Sequence, residues 1–152
     1  ELMLSAGPRV GEICNLKIEN LDFERGEIQI YGEKNSKWRT CFMTPDCRVA
    51  LEQYINDRAE GYVFLNSRNV ETGKPLCKAT IEEIAKEIAA RAGCRNVATV
   101  HVYRKTFASR EYLRTKDILY VSHRLGHANT AVTEKYYICD DILADRKMAN
   151  VA

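Results

Sequence analysis

The spacing of apolar residues predicts two short helices at the start of the chain. A helix that contains Leu2-Met3-Leu4 is stopped by Gly7, because glycine readily adopts the left-handed backbone conformation that ends helices. Pro8 then occupies the first turn of a second helix, which we expect to run from about Arg9 to Leu16. A Gly-Pro break therefore separates the two helices.

Apolar and polar residues then alternate along the chain, and this two-residue repeat is typical of a β-strand. A first short strand covers Leu21–Phe23, a second covers Glu27–Tyr31, and a third runs from Trp38 to Met43. Segment 32–37 separates the last two strands and has the composition of a hairpin loop. Because short turns join strands that pair antiparallel, we predict a small three-stranded antiparallel sheet near the N-terminal side.

The rest of the chain is predicted to be mainly helical. Thr44 caps a helix that reaches about Arg58, Tyr62–Leu65 is a short strand, and a polar loop covers Asn66–Pro75. Further helices are expected at about Lys78–Ala92, Val102–Arg114, Lys116–Leu125, Ala131–Tyr137 and Asp140–Met148. The predicted fold class is α+β, mainly α-helical, with the three-stranded sheet at its N-terminal side.

Composition adds a local excess of positive charge to this picture. The 152 residues have a formal net charge of +2, and their number suits one globular domain. Segment 91–127 holds eight basic and two acidic residues, so it carries +6 and the rest of the chain carries −4. Such an excess is typical of a phosphate-binding surface, and equally of a solvated helix face.

Composition also excludes several classes of protein. No apolar run approaches the roughly twenty residues that cross a bilayer, and the N-terminus has no secretory pattern, so we expect a cytoplasmic protein. The six cysteines include no C-x-x-C pair, and the three histidines show no ligand spacing to them. We therefore expect reduced thiols, no metal and no cofactor. Residue 1 is not Met, which indicates a segment of a longer protein.

Several polar residues each have a plain structural explanation when taken alone. Arg9 and Glu12 are three positions apart and suit a local ion pair, and His127 follows a glycine and suits a helix cap. His101 and Arg104 are also three positions apart, which places them on one face where a helix begins. Taken one at a time, none of these residues indicates a function.

The order and spacing of these residues are more specific than any one of them. The motifs are Gly7-Pro8-Arg9-Val10-Gly11-Glu12, the stretch from Gly32 to Thr40, the stretch from His101 to Ser109, Leu125-Gly126-His127, and Tyr136 nine residues after His127. Together they resemble an arginine box, a lysine hairpin, an H-x-x-R box and an L-G-H-x8-Y motif. In this the chain resembles the catalytic domain of the tyrosine recombinases, the phage-integrase family, over about Ala6 to Tyr137.

The resemblance implies how the matched residues act on DNA. A phosphodiester that is broken without metal or ATP requires a nucleophile, donors for the phosphate oxygens and an acid for the leaving oxygen. Tyr136 resembles the nucleophile, and its spacing favours it over the adjacent Tyr137. Arg9 and Arg104 resemble the two arginines that clamp the phosphate, and His127 resembles a further hydrogen-bond donor to it.

Two proton-transfer roles also follow from the resemblance. His101 resembles the residue that assists proton transfer from the tyrosine, a task that suits the pKa of imidazole. Lys34 resembles the general acid. We prefer it to Lys37 because it lies eight residues before Phe42, which stands where the family has a proline. The residues expected to contact DNA are Arg9, Lys34, Arg104 and Lys105.

The resemblance further implies domains and partners. Residues 1–152 are expected to form a catalytic domain truncated at its N-terminus, without the family's core-binding domain. The tail, residues 138–152, is expected to form a helix that packs either on a neighbouring protomer or in cis. The expected partners are double-stranded DNA at a specific recombination site and further copies in a homo-tetramer on DNA, in the bacterial cytoplasm at the nucleoid, with no membrane.

The predicted function is therefore site-specific DNA recombination through a 3′-phosphotyrosyl intermediate, by the integrase of a prophage or mobile element. Two alternatives remain open. One is a catalytically inactive DNA-binding module of the same fold, and the other is a DNA-relaxing enzyme similar to a type IB topoisomerase.

Overall fold

The computed structural model describes residues 1–32, 36–66, 73–94, 98–127 and 133. The helices are α1 (Leu2–Ala6), α2 (Val10–Cys14), a short 3-10 helix (Ile18–Asn20), α3 (Pro45–Ile55), α4 (Lys78–Arg91), α5 (Val100–Thr115) and α6 (Ile118–Leu125). The strands are β1 (Leu21–Asp22), β2 (Glu27–Gly32) and β3 (Lys37–Phe42). The predicted α+β class is confirmed. The helices predicted at 131–137 and 140–148 and the tail 138–152 lie outside the described residues.

The three strands form one antiparallel sheet in the order β1-β2-β3, as predicted. In the pairing of β2 with β3, Ile28 is opposite Cys41 and Ile30 is opposite Arg39. Ile28, Ile30 and Cys41 are buried, so these positions face the interior. Arg39 therefore lies on the interior face of the sheet, because side chains of one strand alternate between its two faces.

The chain divides into two compact units, 1–107 and 108–152, with the boundary inside α5. The first unit has two apolar clusters. One joins α1, the sheet and α3 and includes Leu2, Ile28, Cys41 and Leu51, and the other includes Ile13, Cys14, Ile81, Ala85 and Val100. No disulfide forms among the cysteines of the described residues. The described helices include none long and apolar enough to cross a membrane.

The break between α1 and α2 is a glycine stop, as predicted. Gly7 adopts the left-handed conformation with φ of 57°, and its N–H donates to the carbonyl of Met3. The second helix is shorter than predicted, however. Arg9 is its N-cap and the helix ends at Cys14, whereas the prediction extended it to Leu16. The carbonyl of Leu16 instead accepts a hydrogen bond from the N–H of Val63, a partner far along the chain.

The segment after α3 also differs from the prediction. The helix ends at Ile55 rather than Arg58, because Asn56 has a positive φ of 52°. The Arg58 guanidinium donates to the carbonyls of Ile55, Tyr62 and Val63, which fixes the chain after the helix. The strand predicted at Tyr62–Leu65 forms only two isolated bridges, at Tyr62 and Leu65.

The start of α5 is earlier than predicted, and its cap comes from another helix. The N–H of Val100, the first residue of α5, donates to a carboxylate oxygen of Glu82 on α4 at 3.1 Å. The start of α6 is later than predicted, because the Asp117 carboxylate accepts from the N–H of Tyr120 and caps the helix there. Gly126 ends α6 in the left-handed conformation, as its position after the last apolar residue predicted.

Candidate active site

Arg9 and Glu12 form a reciprocal cap at the start of α2. The Arg9 main-chain N–H donates to Glu12 Oε2 at 2.7 Å, and Arg9 Nη1 donates to Glu12 Oε1 at 2.9 Å. The Glu12 side chain is only 1% exposed, whereas that of Arg9 is 32% exposed. The predicted ion pair is therefore present, and it holds Arg9 at the N-terminus of the helix.

A second arginine, which the sequence analysis did not single out, completes the environment of Glu12. Arg39 on β3 donates to both carboxylate oxygens, from Nη1 at 2.8 Å and from Nη2 at 2.7 Å. Such a two-pronged pair is the strongest geometry that arginine and a carboxylate form. The available signal was the alternation of β3, since Arg39 shares the interior face with Cys41.

The ionisation state of Glu12 follows from its hydrogen-bond partners. Burial opposes the charge of Glu12, but the hydrogen bonds and charges of Arg39 and Arg9 outweigh it and hold its pKa below the ordinary value of 4.5. Burial likewise opposes the charge of Arg39, and the contact with Glu12 outweighs it and raises the Arg39 pKa. The Glu12 carboxylate and the Arg39 guanidinium are therefore charged at neutral pH.

Arg104 lies on α5 and is almost completely buried, with 5% of the residue exposed. Its Nη1 donates to the main-chain carbonyl of Gly7 at 2.5 Å, two residues before Arg9. Burial and the charge of Arg9 lower the pKa of Arg104 to about 9, which leaves it a cation at pH 7. The structure thus brings together the two arginines that the sequence assigned to one site.

The four charged groups of this cluster leave an excess of positive charge. Arg9, Arg39 and Arg104 contribute three positive charges and Glu12 contributes one negative charge, so the sum is +2. The lowered pKa of Arg104 is the cost of this arrangement, since a buried cation beside other cations is destabilised. An anion such as a phosphodiester group would relieve that repulsion.

His101 lies in the first turn of α5, three residues before Arg104, as predicted. Partial burial lowers its pKa below 6.5, and the charges of Lys105 and Arg104 lower it further. The imidazole is therefore neutral at pH 7 and able to accept a proton. Lys105, which the sequence predicted to contact DNA, is exposed.

His127 belongs to the second unit and follows the glycine that ends α6. Its Nδ1 is 2.8 Å from the hydroxyl oxygen of Thr133, and its main-chain N–H donates to the carbonyl of Ser122. Thr133 is 1% exposed, so the contact is at a buried hydroxyl. Thr133 was not predictable from the sequence, because a single threonine gives no periodic signal.

Three predicted residues cannot be placed. Lys34, Tyr136 and Tyr137 lie outside the described residues, and so does Cys139. The described residues include no group of side chains arranged to hold a metal ion.

Comparison with known proteins identifies the family. Residues 1–141 match the Phage integrase family. This chain belongs to the phage integrase family. The resemblance predicted from the motifs is thereby confirmed over most of the sequence. A related member of the family, the tyrosine recombinase XerA of Pyrococcus furiosus, is 34% identical over 137 residues, which are 89% of this chain and 47% of that protein.

Solved structures of phage integrase family members share the fold. A crystal structure of XerA recombinase superposes with a TM-score of 0.79 at 32% identity, covering 89% of this chain and 50% of that one. XerH site-specific recombinase bound to its difH substrate superposes with a TM-score of 0.74 at 24% identity, covering 89% of this chain and 40% of that one. The chain spans about half the length of the relatives it matches.

Proposed function

We propose that this integrase-family chain supplies the catalytic site of a site-specific tyrosine recombinase, which cleaves and rejoins DNA strands through a 3′-phosphotyrosyl bond. The observation that carries the proposal is the pairing of Arg9 and Arg39 with Glu12, together with Arg104, which is bonded to the Gly7 carbonyl; the four groups carry a charge of +2. A scissile phosphate is an anion that gains charge in the transition state, and fixed guanidinium donors stabilise it there.

In the proposed reaction, Arg9 and Arg104 bind the non-bridging oxygens of the scissile phosphate. Arg104 suits this role because its fixed position, bonded to the Gly7 carbonyl, costs no reorganisation during the reaction. His127 donates a further hydrogen bond to the same phosphate. Its contact with Thr133 supports that assignment, because a second partner fixes the orientation and the tautomer of an imidazole ring.

The hydroxyl oxygen of Tyr136 attacks the phosphorus, and the bond from phosphorus to the 5′-oxygen breaks. His101, which is neutral at pH 7, accepts the tyrosine proton, and Lys34 protonates the leaving 5′-oxygen. The products are a 3′-phosphotyrosyl bond and a free 5′-hydroxyl. A 5′-hydroxyl from another strand reverses the step and completes the exchange, so no bond energy is lost to hydrolysis.

The partners in this proposal are double-stranded DNA at a specific site and further copies of the protein, assembled as a homo-tetramer on that DNA. XerH site-specific recombinase was solved bound to its difH substrate, and this supports DNA as a partner of the present chain. The exposed Lys105 adds a contact to DNA beside the clamp. The remaining parts of the proposal are a core-binding domain outside this chain, a role as the integrase of a prophage or mobile element, and a place at the nucleoid in the cytoplasm.

The test is covalent trapping of the full-length protein on nicked DNA substrates made from its own genomic flanks, without divalent metal. We expect a protease-sensitive adduct in denaturing gels that is lost in Tyr136→Phe and kept in Tyr137→Phe. The tyrosine pair supplies its own matched control, since both variants remove one hydroxyl from adjacent residues.

Other outcomes would change the proposal in defined ways. Binding to the DNA without any adduct would favour the inactive DNA-binding module. An adduct accompanied by relaxation of supercoiled DNA, with no exchange between two sites, would favour an enzyme similar to a type IB topoisomerase.

A further inference from the structure

The structure gives Arg39 an environment that differs from that of an ordinary structural arginine. It lies opposite Ile30 on the interior face of the sheet, and its side chain is only 11% exposed. Within the described residues, its Nε has no hydrogen-bond partner, although its two terminal nitrogens are bonded to Glu12. A buried cation of this kind is costly unless it balances a specific negative charge.

The negative charge that Arg39 balances is also the one that holds Arg9. Glu12 Oε1 accepts from Arg9 Nη1 and from Arg39 Nη1, at 2.9 and 2.8 Å. Oε2 accepts from the Arg9 main-chain N–H and from Arg39 Nη2, both at 2.7 Å. Each carboxylate oxygen therefore joins the two arginines, and the position of Glu12 depends on both.

The charges show what Arg39 adds to the site. Arg9 and Glu12 together sum to zero, and a pair without net charge attracts a phosphate only weakly. With Arg39 paired to Glu12, the positive charge of Arg9 is no longer cancelled, and the three groups sum to +1. Arg39 thus supplies the charge that lets Arg9 serve an anion while still being held by the carboxylate.

Arg39 also links two parts of the proposed machinery. It is on β3, which pairs with β2 from Gly32 opposite Lys37 to Glu27 opposite Phe42. The segment between these strands contains Lys34, the proposed general acid. The ion pair between Arg39 and Glu12 therefore connects β3, which follows this segment, to α2.

We propose that Arg39 is a positioning residue of the recombinase site, which acts through Glu12 to hold and charge-balance Arg9 without touching the DNA. This inference rests on the proposed function of Arg9 as a phosphate ligand. It predicts that loss of Arg39 weakens the stabilisation of charge on the scissile phosphate more than it weakens DNA binding.

The test compares adduct formation by the full-length protein on two nicked substrates. One has the natural phosphate at the scissile position, and the other has a methylphosphonate, in which a neutral methyl group replaces a charged oxygen. On the phosphate, we expect Arg39→Met to slow adduct formation roughly tenfold or more, the scale seen when the partner of a site group is removed. On the methylphosphonate, which needs less positive charge, we expect the deficit to shrink to about threefold or less.

Two companion variants keep the test informative if Arg39→Met folds poorly. Arg39→Lys keeps the charge but not the two-pronged geometry, so we expect an intermediate deficit. Glu12→Gln in the Arg39→Met background removes the carboxylate that then cancels the charge of Arg9, so we expect the double variant to be faster than Arg39→Met alone. Arg48→Met is the matched control, because Arg48 forms an exposed ion pair with Glu52 on α3, and we expect no change.

The outcomes separate this inference from the proposal on which it rests. If the unsubstituted protein forms no adduct, both are overturned. If it forms an adduct but Arg39→Met loses the same factor on both substrates, Arg39 only supports the fold and this inference alone is overturned. An unchanged rate in Arg39→Met would also overturn this inference and leave the proposed function standing.

Discussion

A carboxylate that accepts hydrogen bonds from two arginines contributes to stability only while it is ionised. For Glu12 the folded state favours the charged form, so its pKa is lower in the folded than in the unfolded chain. The contribution is therefore fully present above pH 4.5, and it is lost as the pH falls through the lower pKa of the folded state.

We predict that Glu12→Gln lowers the free energy of unfolding at pH 7 by about 3 kcal/mol, the scale for breaking a buried ion pair. The gap between the two proteins should narrow as the pH falls below 4.5, because both then lack the charge. Urea unfolding followed at several pH values measures this gap. A gap that stays constant down to acid pH would show that the charge of Glu12 contributes nothing.

The pKa of His101 makes a second prediction at the scale of the residue. As the proposed proton acceptor, His101 acts in its neutral form, so cleavage slows as the pH falls through its pKa. Lys105 is one of the charges that lower this pKa. We therefore predict that Lys105→Gln raises the pKa of His101 and moves the acid limb of the rate profile to higher pH.

The measurement is single-turnover adduct formation as a function of pH, with protein at saturating concentration so that weaker DNA binding does not contribute. Lys86→Gln is the control, because this exposed lysine on α4 is not among the main charges acting on His101. An acid limb that stays in place in Lys105→Gln, or that moves equally in both variants, would contradict the assignment.

At the scale of the element, the junction between α1 and α2 depends on a residue without a side chain. Gly7 has a φ of 57°, and a Cβ added there would overlap the Phe107 ring, with two further ring atoms at 3.0 and 3.1 Å. We predict that Gly7→Ala destabilises the protein by about 2 to 4 kcal/mol, from the left-handed backbone and the overlap together.

Gly93 provides a matched control for this prediction. It has a similar φ of 72° after α4, but a Cβ added there meets no atom of the described residues within 4 Å. Gly93→Ala should therefore cost only the backbone contribution, about 1 kcal/mol. The two variants are compared by urea unfolding, and equal losses would show that Phe107 does not restrict the junction.

The sequence predicted the helices and strands well where neighbouring residues alone determine where the element begins or ends. The glycine stops at Gly7 and Gly126 and the alternation of β2 and β3 each depend on a few neighbouring positions. The errors occurred where a distant group decides the boundary. The start of α5 depends on Glu82, and the segment after α3 depends on Arg58. Such contacts exist only in the folded chain.

At the scale of the whole molecule, the family motifs predicted more of the site than the pattern of single residues. They brought Arg9 and Arg104 together across most of the first unit, which periodicity alone does not do. They assigned no role to Arg39, which lies within the Gly32–Thr40 motif, or to Thr133, because both act on other side chains and carry no fixed spacing to them. Lys34 and Tyr136 keep their assigned roles as predictions.

The hydrogen bond from Arg104 to the Gly7 carbonyl has a consequence for the order in which the protein becomes competent. It joins residues 97 positions apart, so it forms only after a long loop has closed. During synthesis on the ribosome, Arg9 emerges long before Arg104, and a nascent chain that meets DNA offers only scattered basic residues. The pair of Arg9 and Arg104 is therefore complete only when the first unit has been translated and folded. In the proposed reaction, strand cleavage cannot precede that step, and it also awaits Tyr136, which is translated later.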